Sequence, residues 1–146
     1  MVKIVAQYEG NLRTEATHTP SGTQLLTDAP LDNGGKAESF SPTDLVATAL
    51  GTCMITTMGI FAERHGIDLR GTRVEILKEM QSQPQRRIRA LNVNLYVSVP
   101  EDHPQRFALE QAALGCPVHK SLHSDVKIPV EFHWQTKVQE TSGSSA

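Results

Sequence analysis

The chain of 146 residues has little cysteine, few aromatic residues and no excess of charge of either sign. Its two cysteines, Cys53 and Cys116, have 62 residues between them. That count is no secreted disulfide framework, and in a reducing compartment two such thiols are core residues or a working pair. A net charge of −2 gives no electrostatic case for a nucleic acid or an anionic membrane as partner. The short cluster Arg86-Arg87-x-Arg89 reads as a solvated strand end. There is no Gly-x-Ser-x-Gly elbow, no phosphate-binding glycine loop and no internal repeat. The opening MVKIVAQYEG carries no apolar core of a signal peptide, so a cytoplasmic protein is expected. The length suits one domain over residues 1–135, with a tail over 136–146, ending ETSGSSA, expected to be disordered.

Long uncharged runs are also scarce. The one present, Leu45 to Ala62, is borderline in length for a membrane span. It holds four threonines and two glycines and lacks an aromatic belt, so it reads as a buried helix of a soluble protein. A helix apolar on nearly every side needs cover on nearly every side, and a chain this short points to a second subunit for it.

Around that helix the patterning is mixed. Val2, Ile4 and Ala6 alternate with polar positions in a first strand ending near Gly10. A second strand is expected over Leu12–His18 and, after the Pro20-Ser21-Gly22 turn, a third over Thr23–Thr27. Asp28 to Phe40 reads as a loop. Ser41-Pro42-Thr43-Asp44 is a strong helix start, with Ser41 as N-cap, Pro42 in the first helical position and Asp44 closing a capping box. The helix should run to about His65 and stop at Gly66. At 100° per residue, Val46, Ala49, Leu50, Thr57 and Ile60 cluster around Cys53, which sets Cys53 at the centre of an apolar stripe.

Beyond the helix, strands are expected over Thr72–Met80 and Leu91–Val99, joined through Gln83-Pro84. The second shows strict apolar alternation. A second helix has its core over Phe107–Leu114, and a short third one opens at Pro117. A last strand carries Ile128, Val130, Phe132 and Trp134 on one face, with Pro129 marking an edge. Strands in runs with helices between make the fold class α+β.

The chemistry lies with the two thiols. Cys116 precedes Pro117, so its sulfur falls at a helix N-terminus beside unpaired N–H groups, a setting that favours thiolate. Cys53 sits mid-helix among apolar neighbours, a setting that works against thiolate unless a cation is near. Either could equally be a small buried core residue. Cys116, His119 and His123 have ligand-like spacing for zinc, but no fourth ligand is implied, and Lys120 beside them is unhelpful. A Cys/His hydrolase using Cys116 is disfavoured by the short spacing to His119. No metal and no cofactor are expected.

The segment Ser-Pro-Thr-Asp-Leu-Val-Ala-Thr-Ala-Leu-Gly-Thr-Cys (41–53) resembles the helix motif of the OsmC/Ohr family, the osmotically induced and organic hydroperoxide resistance proteins. Cys-Pro-Val-His-Lys-Ser-Leu (116–122) resembles that family's second cysteine motif, and the order of elements matches over roughly residues 1–135. The resemblance implies an intertwined α+β homodimer, with antiparallel sheets around long central helices and active sites at the subunit interface. It implies a thiol peroxidase of organic or fatty-acid hydroperoxides. The residue matching Cys53 is peroxidatic, the one matching Cys116 resolves it to a disulfide, and a dithiol, lipoyl in some members, regenerates the enzyme. Arg13, nine residues before Gly22, matches the family's arginine beside the peroxidatic thiolate. Ohr-type members carry a glutamate directly after the motif proline to orient that arginine. Here that residue is Thr43, which aligns the chain with the broader OsmC-like branch. The alternative function is a non-catalytic small-ligand-binding or stress-response protein on the same scaffold, its thiols serving only as core.

Overall fold

The computed structural model describes residues 1–136. The expected disorder of the tail falls almost wholly outside them. The chain forms two compact units, Met1–Thr48 and the part from Ala49 onward.

The first unit is an antiparallel sheet of three strands, β1 (Ile4–Gly10), β2 (Arg13–His18) and β3 (Thr23–Asp28), in that spatial order. β1 starts two residues later than the alternation predicted. Leu12, expected in β2, belongs to the turn instead. Gly10, Asn11 and Leu12 all take left-handed φ, at 81°, 54° and 63°. The turn is held at Leu12, whose N–H donates to the Tyr8 hydroxyl and whose carbonyl accepts from Ala29. Those two bonds offset the backbone strain of a branched residue at positive φ. Ile4 and the adjacent Val5 point to opposite faces of the sheet, yet both are exposed, as are Tyr8, Leu25 and Leu26.

A loop with a single 3₁₀ turn (Leu31–Asn33) leads on to α1 (Pro42–Arg64). The capping box forms reciprocally: Ser41 N–H donates to the Asp44 carboxylate at 2.9 Å, and Asp44 N–H donates to Ser41 Oγ at 3.1 Å. Gly66, at φ 66°, ends the helix, with Ile67 N–H returning to the Ala62 carbonyl. The helical threonines direct their hydroxyls to their own backbone, Thr48 to the Asp44 carbonyl, Thr56 to that of Thr52 and Thr57 to that of Cys53. This is how so threonine-rich a segment satisfies its polar groups while staying apolar outside.

The second unit has β4 (Arg73–Gln81), β5 (Arg87–Pro100), α2 (Arg106–Leu114), α3 (Pro117–Ser121) and β6 (Val130–Gln135). β5 lies between the other two strands, antiparallel to β4 and parallel to β6. The predicted alternation holds. Leu91, Val93, Leu95, Val97 and Val99 are buried, and Asn92, Asn94, Tyr96 and Ser98 lie on the other face. β6 is an edge strand preceded by Pro129, whose carbonyl accepts from Val93. Gly51 lets α1 approach β4: a Cβ there would fall 2.2 Å from Ile76 Cδ1 and 3.0 Å from Val74 Cγ1.

The buried stripe of α1 differs from expectation. Leu50, Met54 and Met58 are fully buried, whereas Cys53 is half-buried and Ala49 and Ile60 are exposed. Burying each of the three large side chains contributes about 2 kcal/mol. A helix apolar nearly all round offers several equivalent stripes, so periodicity alone could not select which one faces β4 and β5.

Candidate active site

The second unit brings the two thiols together. α2 ends at Gly115, the chain extends through Cys116 (φ −64°, ψ 142°), and Pro117 begins α3. Cys116 is thus the N-cap of α3, as its place before proline predicted. Its Sγ accepts the backbone N–H of His119 at 3.3 Å. The Cys53 thiol, presented from α1, lies within hydrogen-bonding reach of it.

The electrostatics of Cys116 are the reverse of the sequence expectation. Burial pushes its thiol up. The helix N–H groups of His119 and Val118 pull the other way, and the Cys53 thiol adds to the rise. The helix terminus does favour thiolate, but the sulfur has no exposed surface, and loss of solvation outweighs two amides. Cys116 is therefore a protonated, sheltered thiol. Cys53, half-buried, is the one a small molecule can reach.

The zinc grouping does not assemble. Among the described residues no three His, Cys, Asp or Glu side chains gather as a metal site. Cys116 meets His119 through the backbone amide. His123 is largely exposed, and its Nδ1 accepts from Asp125 N–H at 3.0 Å.

Arg13 lies in the first unit. Its guanidinium is ion-paired with Glu38 and stands 3.7 Å from the Asp28 carboxylate. Asp28 is directly opposite Arg13 across β2 and β3, and its side chain is only 2% exposed. Asp28 Oδ2 accepts the Glu38 backbone N–H at 3.0 Å. That hydrogen bond, with help from the Arg13 charge and against the effect of burial, holds the Asp28 carboxyl below its usual range. Thr43, where the resemblance would place a glutamate, is instead within 3.2 Å of the Ser41 hydroxyl at the helix cap. The arginine does have carboxylate partners, supplied by the loop before α1 and the end of β3.

Sequence reasoning missed Asp28 and Glu38. Asp28 was within reach of it. The Pro20-Ser21-Gly22 turn pairs His18 with Thr23, and counting back along both strands pairs Arg13 with Asp28. No periodicity governs the loop, so Glu38 left no such signal.

The OsmC-like protein family matches residues 34–131, which include both cysteines. The chain belongs to the OsmC-like family. A solved Psychrobacter arcticus structure, provisionally named an osmotic stress induced and detoxification response protein, is 41% identical with a TM-score of 0.85. The match covers 91% of this chain and 96% of that one. The organic hydroperoxide resistance protein OsmC of Legionella pneumophila is 16% identical, with a TM-score of 0.72 over 91% of this chain and 96% of its own. A Vibrio cholerae protein, provisionally named for organic hydroperoxide resistance and holding captopril in one of its active sites, is 15% identical. Its TM-score is 0.69, over 89% and 90% of the two chains. At such identities the last two share the α+β fold expected from the sequence. No functionally curated protein matches the chain.

Proposed function

We propose that this OsmC-like protein is a two-cysteine thiol peroxidase that reduces organic hydroperoxides. The observation that carries the reading is the pairing of a half-buried Cys53 with a fully buried Cys116 that caps α3.

The roles follow from those settings. The Cys53 thiolate attacks the outer peroxide oxygen, the O–O bond breaks, and the alkoxide leaves and takes a proton as the alcohol. Cys53 becomes a sulfenic acid. The Cys116 sulfur then displaces the sulfenic oxygen, which departs as water with the thiol's proton, and a disulfide remains. A dithiol, lipoyl-like in class, exchanges with that disulfide, returns both cysteines to thiols and leaves oxidised. Keeping Cys116 protonated until the sulfenic acid exists gives the order of events: Cys53 reacts first. Arg13 has the role of steadying the thiolate and polarising the peroxide, a role supported by the family resemblance.

The working form is a homodimer in the cytoplasm. Free thiols suit a reducing compartment. Helix α1 is long and apolar enough to cross a membrane by length and composition, with only 33% of its most apolar window buried in the chain. The unburied part, together with the exposed apolar residues of β1 and β3, is surface for a second copy.

The test is steady-state reduction of cumene hydroperoxide with dihydrolipoamide as donor, wild type beside Cys53→Ser. Turnover that disappears in the variant is expected. Equal turnover in both overturns the assignment of the attack to Cys53, and none in wild type points instead to a small-ligand-binding protein whose thiols are core.

A further inference from the structure

Cys116 holds two positions at once. It is the neighbour of Cys53, and it is the side chain that caps α3. Its Sγ accepts the His119 N–H at 3.3 Å, and the Val118 N–H is directed to it as well. α3 has little of its own to hold it. It is five residues long and buries none of them. Lys120 N–H donates to the Cys116 carbonyl at 3.2 Å, and the Ser121 hydroxyl to the Pro117 carbonyl at 2.8 Å. Pro117 fixes the first helical φ but brings no N–H. A helix this short gains almost nothing from propagation to offset its nucleation, so its first turn depends on the cap.

Cys53 stands on firmer ground. α1 runs for 23 residues, with Leu50, Met54 and Met58 fully buried. Two residues before Cys53, Gly51 sits so close to β4 that a Cβ would fall 2.2 Å from Ile76 Cδ1. The Cys53 carbonyl accepts the Thr57 hydroxyl at 3.1 Å. Two thiols that share a hydrogen bond must still close to about 2 Å to become a disulfide. Of the two backbones, α1 is the one that packing restrains, so α3 is the side that yields. A Cys116 sulfur that swings to Cys53 leaves the amides it was accepting from.

We propose that forming the Cys53–Cys116 disulfide uncaps α3, so that Pro117–Ser121 loosens in the oxidised protein and re-forms in the reduced one. The inference deepens the function proposed above and rests on it for making that disulfide a working state. Val118, His119 and Leu122 are half-buried. Fraying therefore changes the surface beside the disulfide in the one state that a dithiol has to recognise.

The experiment is amide hydrogen exchange read residue by residue by NMR, on the full chain, reduced and then oxidised with diamide. Diamide takes two electrons and two protons from the thiols and becomes the hydrazine, and the S–S bond forms. No peroxide chemistry is involved, so this result is separate from that of the peroxidase assay. Non-reducing peptide mapping verifies the bond. Exchange at His119 and Lys120 should be faster by about fivefold in the oxidised form, the scale of one lost cap. The amides of α2 from Leu109 to Ala113 should keep their rates, and dithiothreitol should restore the α3 rates. Cys53→Ser treated with diamide should stay at the reduced-state rates, because its cap is intact. Cys116→Ala, without any oxidant, should show the fast rates at the same amides.

Equal α3 rates in the reduced and disulfide forms overturn the inference. So does an acceleration that covers α2 to the same degree, which is general destabilisation. Slow α3 exchange in Cys116→Ala means the sulfur does not hold the helix, and two free thiols after diamide mean the pair cannot close; either overturns it too. A disulfide that forms with diamide and uncaps α3, in a protein that does not consume cumene hydroperoxide, faults the peroxidase reading and leaves the switch standing.

Discussion

The Cys53 thiol lies within hydrogen-bonding reach of the Cys116 thiol, although 62 residues separate them in the chain. One comes from the middle of α1 and the other from the cap of α3. Their surroundings differ as their proposed tasks require. A peroxide can approach the half-buried sulfur, and the sulfur without exposed surface can meet only its neighbour.

That difference predicts the fate of Cys53 when its neighbour is removed. In Cys116→Ser the first oxidation should proceed, and the sulfenic acid should then persist and advance to sulfinic acid as hydroperoxide accumulates. Mass spectrometry of the Cys53 peptide should show the two added oxygens in the variant at peroxide doses that leave wild type disulfide-bonded.

The helix presenting Cys53 depends on its first turn. Ser41→Ala removes the acceptor of the Asp44 N–H at a buried cap, and should destabilise the protein by about 1 kcal/mol. Urea denaturation monitored by far-ultraviolet circular dichroism reads this directly, with an unchanged slope and a lower midpoint.

Gly51 is a test of close packing against propensity. Alanine is the better helix former by about 1 kcal/mol. Its Cβ would nevertheless meet Ile76 Cδ1 at 2.2 Å, so Gly51→Ala should be destabilising, with overpacking of about 1–3 kcal/mol deciding the sign. Thermal denaturation that shows a higher Tm would mean that Ile76 can turn aside.

The buried carboxylate makes an acid-range prediction. Asp28 titrates below its usual value in the folded protein, chiefly through the Glu38 N–H. Its contribution to stability is present above the unfolded carboxyl value of about 3.9 and is lost as pH falls through the lower folded value. Wild type should therefore lose more stability than Asp28→Asn between pH 5 and pH 2.5, both readings taken by urea unfolding. Parallel curves would mean that the Asp28 charge does not stabilise the fold.

Much of this was legible in the sequence, and the failures have physical causes. The capping box, the stop at Gly66, the alternation of β5 and the cap at Cys116 all depend on neighbours in the chain, and each formed as its local chemistry required. The thiol character of Cys116 was misread because a helix terminus is visible in sequence and burial is not. The stripe of α1 was misread because uniform apolarity carries no phase, leaving Met54 and Met58 to be identified by packing. Glu38 was missed because its pairing with Arg13 depends on how an irregular loop folds back.

The most direct measurement is thiol mapping after reduced wild-type protein meets one equivalent of cumene hydroperoxide. Acid quench, alkylation and non-reducing peptide analysis should find a single intramolecular Cys53–Cys116 disulfide formed in step with release of the alcohol. Two free thiols after the alcohol has appeared, or a sulfenic acid on Cys116 with Cys53 intact, would contradict the account.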